Sequence, residues 1–335
     1  MKKLMAMLLV LTMVLGLSMT AMAEDTAYSD TSTITITKVF KDANGGKSPA
    51  ETFSFSSLTC ESVTDAAAGV TKDNAPIPTI GTVEFTEGEA TSDGAKKEAT
   101  ITLPNYTSVG IYTYKFNEKA GTTAGVTYNN DTALYLVVSV IEQNGKIRVA
   151  AVHCEGSHNP NASGKTDEFT NTYKSGTLKI SKAVTGNMGD QTKLFNVKVT
   201  LEAPSGETVN STITCSGGSD AGNNQTIAAN WTGTKEISIK LAHQDTVTFT
   251  NLPEGVSWSV AEADYTSEGY DAAVYSIQEG DIAAGDADEC TITNNKVATI
   301  DTGISMDSLP YIVIIALVAV AAAAFFMRRR RSADE

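Results

Sequence analysis

The chain is short of positive charge. Its 335 residues include 25 lysines and arginines against 39 aspartates and glutamates, a formal net charge of -14. Outside the C-terminal tail, few of the basic residues cluster. Because an acidic surface repels phosphate groups, nucleic acid and anionic lipid are excluded as predicted partners. We expect the charge to serve solubility.

Cysteine and metal ligands are also scarce, with four cysteines and three histidines in the chain. The segment VHCEGSH brings His153, Cys154 and His158 together. It lacks a convincing fourth ligand, and its spacing fits no standard zinc pattern. We therefore expect no metal and no cofactor.

Between its two ends the chain lacks a convincing long amphipathic helix. It has instead short runs of alternating polar and apolar residues, broken by Gly, Asn, Asp and Pro, which indicate strands and turns. Examples are STITITKVF, ETFSFSSL, IYTYKF, LYLVVSV, LFNVKVTL and ISIKLAH. This pattern predicts an all-β protein built as a sandwich or barrel.

The strand pattern occurs twice. The segments STITITKVF, YTYKFNEKA and EFTNTYKS are followed, in the same order, by GTLKISKAV, WSVAEAD and TITNNKV. A single repeat over this length predicts two tandem domains of similar design. We place them at residues 24–175 and 176–297, with a linker at 298–304.

Both ends of the chain carry export features. Two lysines precede an apolar run that ends in AMA, which predicts a signal peptide over residues 1–23. Residues 311–327 are continuously apolar and four arginines follow, which predicts a transmembrane helix and basic cytoplasmic tail within 305–335. The part between should lie outside the cell.

The exported part is more acidic than the whole chain. Removing the two lysines and everything after Gly303 takes away six positive and three negative charges, so the net charge falls from -14 to about -17.

Export makes disulfide bonds a candidate feature, because the cell exterior is not reducing. Cys60 and Cys154 fall in the first half, and Cys215 and Cys290 in the second, so each domain could form one bridge. Cys290 also shares its strand face with Ile292, which is typical of a buried free thiol. Both interpretations stay open at the level of sequence.

Alternation along the strands places three polar side chains of each domain on apolar faces. In STITITKVF, for example, Lys38 shares a face with Ile36 and Phe40. The lysine and glutamate of each set are 80 residues apart, 118 minus 38 and 262 minus 182. The inward residues are Lys38, Glu118 and Asn171 in the first domain and Lys182, Glu262 and Asn294 in the second.

A buried lysine, glutamate and asparagine can react with one another. Burial disfavours charge, so it lowers the pKa of an amine and raises that of a carboxyl group. A neutral amine is a nucleophile, and a protonated carboxyl beside an amide can polarise its carbonyl and pass protons as ammonia leaves. The product would be an isopeptide bond, formed once per domain. The alternatives are a buried ion pair capped by an amide, or side chains that reach water at strand ends.

The sequence resembles the streptococcal FctA-type major pilins, whose domains are immunoglobulin-like, CnaB-like sandwiches with internal isopeptide bonds. The likeness rests on ITK, YTYKFNE and FTNTY in the first half, and on LKISKAVTG, LPEGVSWSVAE and TITNN in the second. It implies a structural cell-surface pilin subunit, not an enzyme beyond its single-turnover self-crosslinking. It also implies two crosslinks with glutamate catalysts: Lys38 to Asn171 with Glu118, and Lys182 to Asn294 with Glu262.

Pilins of this family are polymerised by a sortase, and the resemblance implies the residues involved. Thr302 would be joined to the next subunit, and Gly303 would leave with the membrane tail. The acceptor would be Lys165, in the Gly/Asn/Ser-rich segment NPNASGKTDEFTN. Expected partners are the sortase, other copies of the chain, and other pilins or peptidoglycan. The sequence departs from the usual signal at Asp301, where the family carries proline.

Other interpretations compete with this one. The DTG at 301–303 also matches an aspartic protease loop, but only five residues separate Gly303 from Leu309, which leaves no room for a catalytic domain. LPNYT at 103–107 resembles a sorting signal, yet no apolar helix follows it. The stronger alternative is a singly anchored, non-polymerising adhesin or stalk built from the same crosslinked domains.

Overall fold

The computed structural model describes residues 30–157, 165–299 and 309–331, with side chains of residues 311–323 in the last segment. These residues form strands in two successive domains, two short 3₁₀ turns and one C-terminal helix. The predicted all-β, two-domain architecture is therefore confirmed. The predicted signal peptide, Thr302 and Gly303 lie outside the described residues.

The first domain contains strands β1 to β11. Its five-stranded sheet has the order β4-β6-β1-β11-β8, and its four-stranded sheet the order β10-β9-β7-β3, while β2 pairs with β5. The strands are β1 Thr33–Asp42, β2 Glu51–Phe53, β3 Thr59–Thr64, β4 Thr79–Ile80, β5 Val83–Phe85, β6 Ala95–Thr102, β7 Gly110–Asn117, β8 Val126–Thr127, β9 Ala133–Gln143, β10 Lys146–Glu155 and β11 Glu168–Tyr173.

The second domain contains strands β12 to β21. A six-stranded sheet has the order β15-β14-β17-β12-β21-β19, and a four-stranded sheet the order β16-β13-β18-β20. Its 3₁₀ turns are Ala221–Asn223 and Thr266–Glu268, and a helix, α1, follows at Leu309–Arg331. The strands are β12 Ser175–Thr185, β13 Phe195–Glu202, β14 Ile213–Gly217, β15 Gln225–Ile227, β16 Thr234–Leu241, β17 Thr246–Pro253, β18 Ser257–Glu262, β19 Val274–Tyr275, β20 Glu279–Asp281 and β21 Ala287–Asn295.

Each domain buries its apolar strand faces between its two larger sheets. In the first domain Phe116 of β7 packs edge-on against Phe169 of β11, with ring centres 6.0 Å apart, so the two sheets meet through aromatic side chains. In the second, Leu178 and Ile180 of the larger sheet share a core with Trp258 of the smaller one. Such faces are built by the period-two alternation seen in the sequence.

The first and last strands of each domain are neighbours and run parallel. In the first domain β1 pairs with β11, with Lys38 opposite Phe169 and Phe40 opposite Asn171. In the second, β12 pairs with β21 in the same register, so that Val184 lies opposite Asn294. The lysine and asparagine therefore project from adjacent strands, two positions apart along the ladder. This shared register brings the reactive pair of each domain within reach.

A polar latch around Asn251 joins the two domains. The Asn251 side chain accepts a hydrogen bond from the backbone N–H of Lys47 at 2.9 Å, and donates to the carbonyls of Lys47 at 2.8 Å and Thr212 at 2.9 Å. Gly46 lies so close that a Cβ there would approach Ser175 Oγ and Asn251 Oδ1 to less than van der Waals contact. A side chain at position 46 would therefore force the Ser175 hydroxyl and the Asn251 amide to shift.

The candidate disulfides are not formed, because all four cysteines are free thiols. Cys60 and Cys154 lie on the two outer strands of one sheet, β3 and β10, about 14 Å apart at three strand spacings. A disulfide needs Cα atoms within about 7 Å. Cys215 and Cys290 are likewise separated by β17 and β12. Burial raises the pKa of Cys154 to about 12 and that of Cys215 and Cys290 to about 11, which disfavours the reactive thiolate.

Among the described residues, no helix is both long enough and apolar enough to cross a membrane. The transmembrane segment within 305–335 stays a prediction.

Candidate functional sites

The first candidate site joins three elements of the first domain. Lys38 lies on β1 and Asn171 on the adjacent β11, while Glu118 follows β7 in the opposite sheet and bridges to Phe55. All three polar residues are buried, with exposed fractions of 0% for Lys38, 2% for Glu118 and 1% for Asn171. The alternation of the strands thus carries each of them into the core, where an unpaired charge is costly.

The contacts within this site orient the asparagine amide. Lys38 Nζ lies 2.9 Å from Glu118 Oε2 and donates to the carbonyl of Phe169 at 3.3 Å. Asn171 Nδ2 donates to Glu118 Oε1 in a short contact. The opposite end of the amide, Asn171 Oδ1, accepts from the backbone N–H of Asn129 at 3.0 Å. The amide nitrogen therefore faces the carboxyl group, and its oxygen faces a backbone donor.

The second site has the same three residue types in a tighter contact. Lys182 Nζ donates to Glu262 Oε2 at 2.5 Å and also contacts Asn294 Oδ1. The side chains of Lys182 and Glu262 are fully shielded from solvent, and Asn294 is 1% exposed. Glu262 ends β18 and so reaches the pair from the opposite sheet, as Glu118 does in the first domain.

An aromatic ring lies beneath the amine in both sites. Lys38 Nζ is 4.3 Å from the centre of the Phe53 ring, and Lys182 Nζ is 4.2 Å from the Phe195 ring. The ring face excludes water from the amine while it attracts the charged form. Desolvation nevertheless dominates: it lowers the pKa of Lys38 to about 8, against the attraction of Glu118, and it lowers the pKa of Lys182 as well. A neutral fraction of the Lys38 amine is therefore accessible near neutral pH.

Each glutamate retains one buried oxygen that accepts no well-aligned hydrogen bond from a described residue. These oxygens are Glu118 Oε2 and Glu262 Oε1. For Glu118 Oε2 the nearby Lys38 Nζ makes an ionic contact but is not aligned as a hydrogen-bond donor. A buried oxygen without a donor is a place where a carboxyl group can carry a proton. Glu118 contacts both the amine and the amide of its site, whereas Glu262 contacts the amine.

The remaining predicted residues lie elsewhere. Lys165 is exposed and precedes β11 by three residues. His153 is half-buried and pairs with Glu155 at 3.6 Å, whereas Cys154 points into the core. Since adjacent strand residues face opposite sides, His153 and Cys154 cannot converge on one metal ion. His158 lies outside the described residues.

The LPNYT segment is part of the first core. Leu103 and Tyr106 are buried, and the Tyr106 hydroxyl lies 3.2 Å from that of Tyr114. Asn105 and Thr107 are exposed, but the two buried side chains hold the segment against the core, which agrees with its rejection as a sorting signal.

Three participants in the sites were not identified from the sequence. Phe53 and Phe195 occur in predicted strands, and their alternation would have pointed them inward, but nothing in the sequence paired them with a lysine. Asn129 contributes through its backbone N–H, so its side chain gives no signal.

Comparisons with known proteins relate each domain to a different family model. Residues 34–174 match the family FctA, described as a Spy0128-like isopeptide containing domain. Residues 176–296 match DUF7601, a domain of unknown function. A relative named "Pilin" from Streptococcus pyogenes serotype M1 is 32% identical over 228 residues, which are 61% of this chain and 63% of the relative. The chain thus spans less than two thirds of that relative's length.

Solved structures of pilins share the fold. The major pilin from Streptococcus pyogenes matches with a TM-score of 0.53 at 21% identity, over 81% of this chain and 100% of that one. The T3.2 major pilin of the same species matches with a TM-score of 0.54 at 18% identity, over 80% and 99%. The FctA match of the first domain and the pilin relative confirm the predicted resemblance to FctA-type major pilins. These relatives are named as pilins.

Proposed function

We propose that this protein is an exported structural pilin subunit whose two domains are each closed by a Lys-Asn isopeptide bond. The bonds join Lys38 to Asn171 and Lys182 to Asn294. The single observation that carries the proposal is the same buried arrangement in both domains: a lysine on the first strand, an asparagine on the adjacent last strand, and a glutamate from the opposite sheet.

The reaction is an exchange of amides within the folded domain. The neutral lysine amine attacks the side-chain carbon of the asparagine and forms a tetrahedral intermediate. The glutamate carboxyl accepts a proton from the amine nitrogen and delivers one to the amide nitrogen, which leaves as ammonia. The carboxyl ends in the protonation state in which it began, so no co-reactant is consumed. The fold supplies the rate by holding the two groups in contact.

The bond would serve mechanical strength. It joins the first strand to the last, and these are the strands that carry the load when a fibre is pulled from its ends. It also closes loops of 133 residues (171 minus 38) and 112 residues (294 minus 182). In the chain-entropy model of a crosslink, each closure stabilises the folded state by about 4 to 5 kcal/mol.

Digestion of the purified exported part with trypsin tests each bond. A branched peptide should contain the segments around Lys38 and Asn171, and a second should contain those around Lys182 and Asn294. Glu118→Ala should remove the first branched peptide only, and Glu262→Ala the second only. Linear peptides with unmodified Lys38 and Lys182 in the wild type would refute the proposed bonds.

We further propose that a sortase joins the subunits. Loss of the signal peptide over residues 1–23 would leave the protein held by the C-terminal apolar segment. The sortase would cleave Thr302-Gly303 and transfer Thr302 to Lys165 of another copy, or to peptidoglycan. The exposure of Lys165, close to the start of β11, supports it as the acceptor. Asp301, in place of proline, would require a sortase that reads a variant signal.

Boiled envelope extracts separate the fibre subunit from a singly anchored adhesin or stalk. A polymer should give a ladder of high-mass bands, which Lys165→Ala should collapse to monomer, while Lys72→Ala, at another exposed lysine, should leave it intact. A single band in the wild type, unchanged by Lys165→Ala, would favour the non-polymerising alternative.

A further inference from the structure

The carboxamide of Asn171 is held at both of its polar ends before any reaction. Its nitrogen faces Glu118, and its oxygen receives the backbone N–H of Asn129 at 3.0 Å. Attack of an amine on the amide carbon places negative charge on that oxygen. A donor already aimed at the oxygen stabilises this charge without reorganising at the moment of reaction.

The segment that carries this donor is held in place on several sides. Strand β8 comes directly before it and pairs with β11, with Thr127 opposite Thr172. The hydroxyl of Tyr128 accepts the backbone N–H of Thr123 at 3.2 Å. The Tyr128 ring packs edge-on against Phe53, with centres 6.2 Å apart, and Phe53 is the ring beneath the Lys38 amine.

A second buried carboxyl supports the same segment. Glu51 begins β2, two residues before Phe53, and its side chain contacts the hydroxyls of Tyr128 and Thr123. The Oε2 atom of this carboxyl is buried without a hydrogen bond from a described residue. The proposed crosslinking reaction does not use this carboxyl. Its contacts instead fix the tyrosine that precedes the donor.

We propose that the backbone N–H of Asn129 is the oxyanion donor for the first crosslink, and that Tyr128 and Glu51 are positioning residues that hold it at Asn171 Oδ1. The inference rests on the proposed isopeptide reaction and adds a group to it. Asn129 touches the reacting amide, whereas Tyr128 and Glu51 act through the placement of the Asn129 backbone.

The second domain does not reproduce this arrangement. Among the described residues, the contact of Asn294 Oδ1 is with Lys182 Nζ itself. The corresponding edge strand, β19, pairs Val274 with Thr293 and Tyr275 with Ile292. There the Tyr275 hydroxyl receives the backbone N–H of Glu262 at 2.8 Å, so its tyrosine supports the glutamate rather than the amide oxygen. The second crosslink therefore serves as an internal reference for the first.

The experiment replaces the backbone amide at position 129 with an ester, which removes the N–H and keeps the side chain. Chain recovered unfolded and uncrosslinked from inclusion bodies is refolded, quenched in acid at intervals, and both branched peptides are quantified. We expect the first crosslink to form on the order of 100-fold more slowly and the second at its wild-type rate. The same ester at the neighbouring, exposed position 130 should leave both rates unchanged.

Two outcomes overturn the inference while the proposed function survives. One is a position-129 ester that forms the first crosslink at the wild-type rate, and the other is a position-130 ester that slows it equally. If the wild type forms neither crosslink, the proposed function itself fails.

Tyr128→Phe gives an independent readout should the ester variant not fold, because it keeps the ring against Phe53 and removes only the hydroxyl. It should slow the first crosslink selectively; a change in thermal midpoint with an unchanged rate would show a merely structural role.

Discussion

The two domains hold the same three residue types in the same strand register, yet they hold the asparagine amide differently. In the first domain the amide nitrogen faces Glu118 and the oxygen faces a backbone donor. In the second, Lys182 Nζ contacts the amide oxygen directly. What the sites share is a parallel pairing of first and last strands, a glutamate from the opposite sheet and a ring beneath the amine. These shared features define the candidate site, whereas the group that contacts the amide oxygen differs between the two domains.

The largest expected effect comes from removing each glutamate in turn. Glu118→Ala should abolish only the first bond, and Glu262→Ala only the second. Each change should lower the free energy of unfolding by about 4 to 5 kcal/mol, because one loop closure is lost. The buried lysine left without its partner adds to this cost. Denaturant unfolding with fragment mapping measures the effect.

Glu98→Ala is the matched control for both glutamates, because Glu98 is an exposed strand residue of the first domain. It should keep both bonds and change stability little. If either catalytic variant lost both bonds at once, the two sites would not be independent, and the comparison between them would fail.

A smaller effect is expected in the pH dependence of the two crosslinking rates, because each rate should follow the titration of its own lysine. Since the pKa of Lys38 is lowered to about 8, its neutral fraction rises about tenfold per pH unit below that value and levels off above it. The rate of the first crosslink during refolding should follow the same curve between about pH 6 and pH 9. Acid-quenched time courses at each pH give the rate. A rate that falls as the pH rises towards 8 would exclude attack by the neutral amine.

The pH profile of the second crosslink sharpens the contrast. Burial also lowers the pKa of Lys182 from its ordinary value of 10.5, so its rate should likewise rise with pH and level off below 10.5. Two different pH midpoints in one protein, read from the two branched peptides, would show that each pocket sets the pKa of its own lysine amine. A single shared midpoint would indicate that refolding, rather than either amine, limits both rates.

The smallest effect is expected at the latch between the domains. Asn251→Ala removes three hydrogen bonds to Lys47 and Thr212 and should cost roughly 1 to 3 kcal/mol, with both isopeptide bonds formed in full. Asn251 has a φ of 64°, which alanine resists. Asn251→Gly, which tolerates this φ, is therefore the control. Equal stability of the glycine variant and the wild type would show that backbone strain, not the hydrogen bonds, explains any loss.

Much of the fold and most of each site follow from alternation along the strands. Lys38 and Asn171 could be placed in the core because alternate residues of a strand point to the same side of the sheet. A polar residue at the same parity as apolar core residues must therefore point inward. The contribution of Asn129 could not be foreseen, since a backbone N–H has no residue type to identify it. The separation of Cys60 from Cys154 was equally hidden, because it depends on the order of strands within a sheet and not on either strand alone. Strand order is set by long-range packing, which a local pattern does not encode.

The most direct test of the account is the intact mass of the purified exported part of the chain. Each isopeptide bond releases one ammonia, so the protein should be lighter than its sequence by two ammonia molecules. Glu118→Ala and Glu262→Ala should each restore one of them, and the double variant both. A wild-type protein at its full sequence mass would contradict the claim that both buried triplets react.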